Sequence, residues 1–209
     1  MIDEEARYYF NGCDRLVVWF GGINEPFFSE KFAEASGCDC VFVRDTRFDW
    51  YTAGVLPSHT SAIEGRDFLK EIIARGYRKV IFCGQSSGGY GALFYGWHCP
   101  ANLVIAFAPQ TRNVRNGQNM MVPQVPISDV GDLYLSGSHT RIILNLSRNE
   151  NSHEDEFFWD DWRQIRKLSE YHAATVVSHP YDNHSVSVKL REDGLLYRYV
   201  SALIDVYTE

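Results

Sequence analysis

Nearly unbroken apolar runs alternate with amphipathic segments along most of this chain. Lys79-Val80-Ile81-Phe82-Cys83, residues 103–107 and residues 141–146 have the pattern of strands covered on both faces. Residues 40–43 and 174–177 are shorter runs of the same kind. Between them, apolar residues recur at helical spacing. Phe28, Phe32 and Ala35 mark residues 26–35, closed by Gly37, and Ile63, Phe68, Leu69, Ile72 and Ile73 mark residues 58–74, closed at Gly76. Residues 89–95, 155–171 and 194–206 also read as helices. The start of the chain differs: residues 6–10 and 15–20 flank Asn11-Gly12, a hairpin signal that predicts two antiparallel strands. Strands alternating with helices after an antiparallel start predict a doubly wound, mostly parallel α/β sheet. Its ligand site is expected at the carboxyl ends of the strands.

Residues 111–140 interrupt this rhythm, with Gly117, Met120-Met121, Pro123 and Pro126 and no sustained period. An insertion there would overhang the strand ends as a lid or substrate loop. The 209 residues are otherwise expected to form a single domain, since no linker, repeat or low-complexity stretch divides them. A net charge of −7 without a basic cluster argues against nucleic acid or an anionic membrane as the partner. The acidic start, Met1-Ile2-Asp3-Glu4-Glu5, is unlike a secretory signal, and no apolar run approaches the ~20 residues that span a bilayer. A cytoplasmic protein is expected. The five scattered cysteines show no Cys-x-x-Cys spacing and are expected to be reduced thiols.

Gly84-Gln85-Ser86-Ser87-Gly88 changes this picture from architecture to chemistry. A strand before it and a helix after it make the Gly-x-Ser-x-Gly turn a nucleophile elbow. Side chains two positions before and after the serine would collide with neighbouring backbone, which accounts for glycine at 84 and 88. Ser87 fits less well than Ser86, because Gln85 would then occupy the crowded position. A phosphate-binding loop would need Lys where Tyr90 stands, and a dinucleotide fingerprint would need Gly in place of Ser86.

A serine hydroxyl requires a histidine base oriented by a carboxylate, in the chain order Ser, acid, His for this architecture. Of seven histidines, only His179 and His184 lie beyond the last strand, and His184, in the loop before the closing helix, is preferred. The acid is expected after the strand that ends near Leu146, at Asp155 or Glu150. His153 with Asp155, or His179 with His184, lacks a recognisable metal-ligand set, so no metal is assigned. The oxyanion donors are expected to be the backbone N–H of Ser87 and that of Gly22 or Ile23, in the turn Trp19-Phe20-Gly21-Gly22-Ile23.

Phe20-Gly21-Gly22, Arg44-Asp45 with Trp50-Tyr51, the elbow through Gly89-Tyr90, Ala106-Phe107-Ala108-Pro109-Gln110, and His184 with Leu190-Arg191-Glu192-Asp193-Gly194 together resemble a small bacterial α/β-hydrolase domain of the serine hydrolase superfamily. The resemblance covers nearly the whole chain and implies an α/β-hydrolase fold with esterase-like chemistry. It favours Asp155 as the acid. Ser87, where Met is common, and the acidic loop around Glu150 depart from the pattern. The resulting expectation is a serine hydrolase of a small-molecule ester or thioester, needing no cofactor, with Trp50, Tyr51 and Gln110 as candidate substrate contacts. An acyltransferase would use the same triad with another acceptor, and a non-catalytic binding protein would keep the fold without an activated serine.

Overall fold

The computed structural model describes residues 6–23, 25, 27, 30–112, 114–115, 118–119, 129–148 and 161–208. Strands β1 (Ala6–Tyr9), β2 (Arg15–Ile23), β3 (Asp39–Asp45), β4 (Lys79–Gln85) and β5 (Leu103–Phe107) are followed by a separate small hairpin, β6 (Val114–Arg115) with β7 (Gln118–Asn119). Then come β8 (Arg141–Ser147) and β9 (Ala174–His179). Seven of these strands form one sheet in the order β1-β3-β2-β4-β5-β8-β9, parallel throughout except for the antiparallel β1–β3 pair. Helices α1 (Glu30–Ser36), α2 (Ala62–Ile73), α3 (Ser87–His98), α4 (Gly131–Leu135), α5 (Asp161–Gln164), α6 (Val186–Glu192) and α7 (Leu196–Tyr207) complete the fold.

The two-residue period of the central strand sorts the core into two layers. Leu16, Val18 and Phe20 pack with Leu69 and Ile72 of α2, Tyr90 and Leu93 of α3, and Tyr134 of α4. Val17 and Trp19 pack on the opposite face with Phe32 of α1, Leu190 of α6, and Val200 and Ile204 of α7. Burial on both faces is why these strands read as unbroken apolar runs, and each such large side chain contributes roughly 1.5–3 kcal/mol of transfer free energy.

The hairpin expected between β1 and β2 does not form. β1 pairs instead with β3, Tyr8 opposite Val41, and β2 lies on the other side of β3. Both edges of β2 are taken by parallel partners, β3 and β4, leaving no edge for β1. The connecting residues cross the start of β3, where Asp39 Oδ1 accepts the N–H groups of Asn11 (2.7 Å) and Cys13 (3.1 Å).

Helix boundaries follow caps. α2 starts at Ala62 rather than 58 because Ser61, in extended backbone, accepts the Glu64 N–H at 3.3 Å, and Glu64 accepts the Thr60 N–H at 2.6 Å. The segment expected as one helix over 155–171 is broken among the described residues into α5 and a 3₁₀ turn, Leu168–Glu170, while residues 155–160 lie outside them. The closing helix is α7, and a shorter helix, α6, precedes it unforeseen. Gly194 at φ 70° separates the two, with Leu195 N–H on Leu190 O (2.8 Å) and Gly194 N–H on Arg191 O (2.9 Å), a Schellman end. Within 111–140 the described residues form β6, β7 and α4, and Met120-Met121 lies outside them. Among the described residues no helix is long and apolar enough to cross a membrane.

Candidate active site

One residue separates the end of β4 at Gln85 from the start of α3 at Ser87. That residue, Ser86, has φ 58° and ψ −119°, a strained conformation for a side chain with a Cβ, costing on the order of 1–3 kcal/mol. Its neighbours leave no alternative. A Cβ on Gly84 would stand 2.1 Å from Gly88 O, and one on Gly88 would stand 2.1 Å from Phe20 O. Backbone bonds fix the turn from three directions: Ser86 N–H donates to Phe107 O (2.9 Å), and Ser86 O accepts from Tyr90 N–H (3.1 Å) and Gln110 N–H (3.3 Å). Every residue from 80 to 96 is buried except Ser86, and Ser87 is completely so. The solvent-facing hydroxyl is therefore that of Ser86. Ser87 opens α3, and its N–H is among the first of the helix, which have no partner within the helix itself.

His184 lies in the turn between β9 and α6, and its Nδ1 is 2.8 Å from Asp161 Oδ1. Asp161 is buried at the start of α5. Among the described residues the carboxylate that meets the histidine is Asp161; Asp155 and Glu150 lie outside them. With Asp161 ionised, the ring hydrogen belongs on Nδ1, leaving Nε2 as the basic nitrogen. Gln85 ties this edge to the elbow: its Nε2 donates to His184 O at 2.9 Å and its Oε1 accepts Ser187 N–H at 3.0 Å. Gln85 is buried and is bonded covalently to Ser86. The other late histidine has a structural place. His179 Nε2 meets Asn145 Oδ1 at 3.0 Å, the same oxygen accepts Tyr199 OH at 2.5 Å, and burial pushes the His179 pKa down, favouring the neutral ring.

At the end of β2, the Gly22 N–H donates to Glu25 Oε2 at 2.7 Å, while Ile23 is exposed. The turn rests on Tyr51, whose hydroxyl donates to Gly21 O (2.7 Å) and whose own carbonyl accepts Tyr95 OH (2.9 Å). Trp50 and Tyr51, both buried, have positive φ of 57° and 64°. Asp45 holds them there by accepting Trp50 N–H (3.1 Å) and Asp49 N–H (3.2 Å). Burial, with the charge of Asp49 adding, pushes the Asp45 pKa up to about 6. Gln110, also buried, hangs on the elbow through its N–H, and its side-chain Oε1 is buried without a hydrogen-bond partner among the described residues.

Three residues of this arrangement escape a reading of the sequence. Gln85 registers there only as the occupant of a crowded position, although a buried side-chain amide must bond something. Asp161 follows Trp159-Asp160 and precedes Trp162, an apolar setting that distinguishes it from the run of acids at 150–156. Glu25 stands three residues beyond Gly22, the spacing at which a side chain folds back on its own turn.

The architecture is that of the α/β-hydrolase fold: a mostly parallel sheet with one antiparallel N-terminal strand, a strand-serine-helix elbow, and a histidine after the last strand. No protein-family model matches the sequence, and no curated protein matches it. Solved structures do match at the level of fold. The chain superimposes on the glycosylation associate protein (Gap123) complex of Streptococcus agalactiae with TM-score 0.66 at 15% identity, covering 97% of this chain and 44% of that one. It therefore spans less than half of that relative. Against the Pyrococcus furiosus esterase Pf2001 the TM-score is 0.66 at 12% identity, covering 98% of this chain and 87% of that one. Against FphF of Staphylococcus aureus, a fluorophosphonate-binding serine hydrolase, it is 0.60 at 12% identity, covering 94% and 84%.

Proposed function

We propose that this chain is a serine hydrolase that cleaves an ester or thioester of a small molecule through an acyl-enzyme on Ser86. The observation that carries this reading is Ser86 itself, held at φ 58° as the one residue from 80 to 96 that is not buried. His184 Nε2 takes the Ser86 proton as Oγ attacks the acyl carbon, and Asp161 orients the ring and stabilises the imidazolium. The N–H groups of Ser87 and Gly22 receive the oxyanion, assisted by the positive end of α3. His184 then returns the proton to the leaving alcohol or thiol, and water, deprotonated by the same histidine, releases the acid. Gln110 lies beside the nucleophile with a buried acceptor to spare, which suits a donor group on the substrate.

The test is reaction with a fluorophosphonate, mapped by mass spectrometry. Its phosphorus is attacked by Ser86 Oγ, fluoride leaves, and the serine proton passes to His184. Rapid modification of Ser86 in the native protein is expected, lost in Ser86→Ala and slowed by about 10³-fold or more in His184→Ala. Modification elsewhere, or labelling indifferent to His184→Ala, would overturn the reading.

A further inference from the structure

We propose that Glu25 is a built-in competitor for the oxyanion position, its carboxylate holding the Gly22 N–H until the acyl oxygen of a substrate displaces it. The inference rests on the serine hydrolase reading above. Glu25 N–H donates to Gly22 O at 3.1 Å, closing a turn, and the side chain folds back so that Oε2 accepts the Gly22 N–H at 2.7 Å. A Cβ built on Gly22 would lie 3.1 Å from the Glu25 carboxyl carbon and 3.3 Å from Gln85 O. The carboxyl group is therefore packed over Gly22, whose Cβ position also borders the carbonyl of Gln85, the residue before Ser86.

A single N–H cannot serve two oxygens at full strength. The tetrahedral intermediate places a negative oxygen where Glu25 already places one, so an ionised Glu25 opposes it both by occupancy and by charge. The charged and titratable side chains that act on Glu25 among the described residues are Arg191, His184 and the buried Tyr51. Arg191, on α6, is the permanently charged cation that acts on the Glu25 carboxylate. Burial raises the Glu25 pKa, against the Gly22 bond and the charges of Arg191 and His184, which lower it. A side chain that merely closed the turn would have no bearing on the chemistry; one that covers the oxyanion donor must slow it.

The experiment measures the second-order rate of fluorophosphonate labelling for the full chain and for Glu25→Gln and Glu25→Ala, with Ser86→Ala as the blank and melting temperature as the check on folding. The expected order is Ala fastest, Gln intermediate and native slowest. The gain for Ala is roughly tenfold to a hundredfold, the range for displacing one hydrogen bond to a charged group. The gap should narrow as pH falls and the native carboxyl, its pKa raised by burial, protonates, because the neutral form no longer opposes a developing anion. Folded variants that label no faster than a labelled native protein would overturn the competitor while leaving Ser86 as nucleophile. Absence of labelling in the native protein and both variants would overturn both readings.

Discussion

Around Ser86 the backbone does the positioning, whereas around His184 side chains do it. The elbow is fixed by two steric exclusions, at Gly84 against Gly88 and at Gly88 against Phe20, and by three backbone hydrogen bonds to Tyr90, Phe107 and Gln110, with no side-chain atom taking part. The histidine edge is fixed by Asp161 from 23 residues away and by Gln85 from 99 residues away, through side-chain atoms. Local sterics leave a signature in consecutive letters of the sequence. Long-range side-chain contacts leave one only after the fold has brought the partners together.

The largest expected effect lies on the histidine side. Asp161→Asn keeps the shape but removes the charge and the preference for a hydrogen on Nδ1, so kcat and the labelling rate should fall by about 10³–10⁴-fold. If Asp161 is the carboxylate that orients the ring, Asp155→Asn and Glu150→Gln should leave both within about twofold. Ester turnover and labelling of the three variants decide the assignment. A large loss at 155 with none at 161 would reverse it and make the histidine edge as legible in sequence as the elbow.

What could be read in advance divides along the same line. The parallel sheet was legible because β4, β5 and β8 are buried on both faces and leave unbroken apolar runs. The elbow was legible because only glycine fits at 84 and 88. The hairpin at Asn11-Gly12 was misread, since turn propensity is local while the pairing edge of β1 is decided by the parallel partners that β2 acquires later in the chain. α6 was missed because its seven residues are too short to display a helical period and it ends only at Gly194. The sequence places the acid by its distance from β8, whereas a carboxylate partner for the histidine is set by reach to the ring, and Asp155 and Glu150 lie outside the described residues. Asp161 has that reach because α5 starts with it.

Gln85 joins the two regions and offers a sharper test of their difference. Gln85→Ala removes both bonds to the histidine segment and leaves the Ser187 N–H and the His184 carbonyl unsatisfied. A base displaced by about 1 Å costs roughly 10²-fold, so kcat should drop by about tenfold to a hundredfold with KM changed little. Gln85→Glu keeps the acceptor for Ser187 but loses the donor to His184, and should fall between the native protein and the alanine variant. Steady-state kinetics beside melting curves separate this from general loosening, which would lower the melting temperature without splitting kcat from KM. Equal kcat in all three would show that the histidine edge positions itself without the elbow.

The smallest effect on the chemistry is expected beneath the elbow side, at Asp45. Its carboxyl supports the strained Trp50-Tyr51 segment whose Tyr51 hydroxyl holds the turn at Gly21. Because its folded pKa is pushed up to about 6, against ~3.9 unfolded, the sign is that of a destabilising ionisation. Below about pH 4 the carboxyl is protonated in both states and its contribution is fully present. As pH rises from about 4 to about 6 the unfolded chain ionises first, and stability on the order of 2–3 kcal/mol is lost. Asp45→Asn keeps an acceptor for only one of the two N–H groups, a loss that is the same at every pH, and cannot ionise, so thermal unfolding should show the native protein losing several degrees more than the variant between about pH 4.5 and about pH 7. Turnover at neutral pH should change by less than about twofold, since Asp45 acts on the site only through the Trp50-Tyr51 segment beneath it. Parallel unfolding curves would mean that the segment carries a charged Asp45 without penalty, and that the elbow side too relies on side-chain electrostatics.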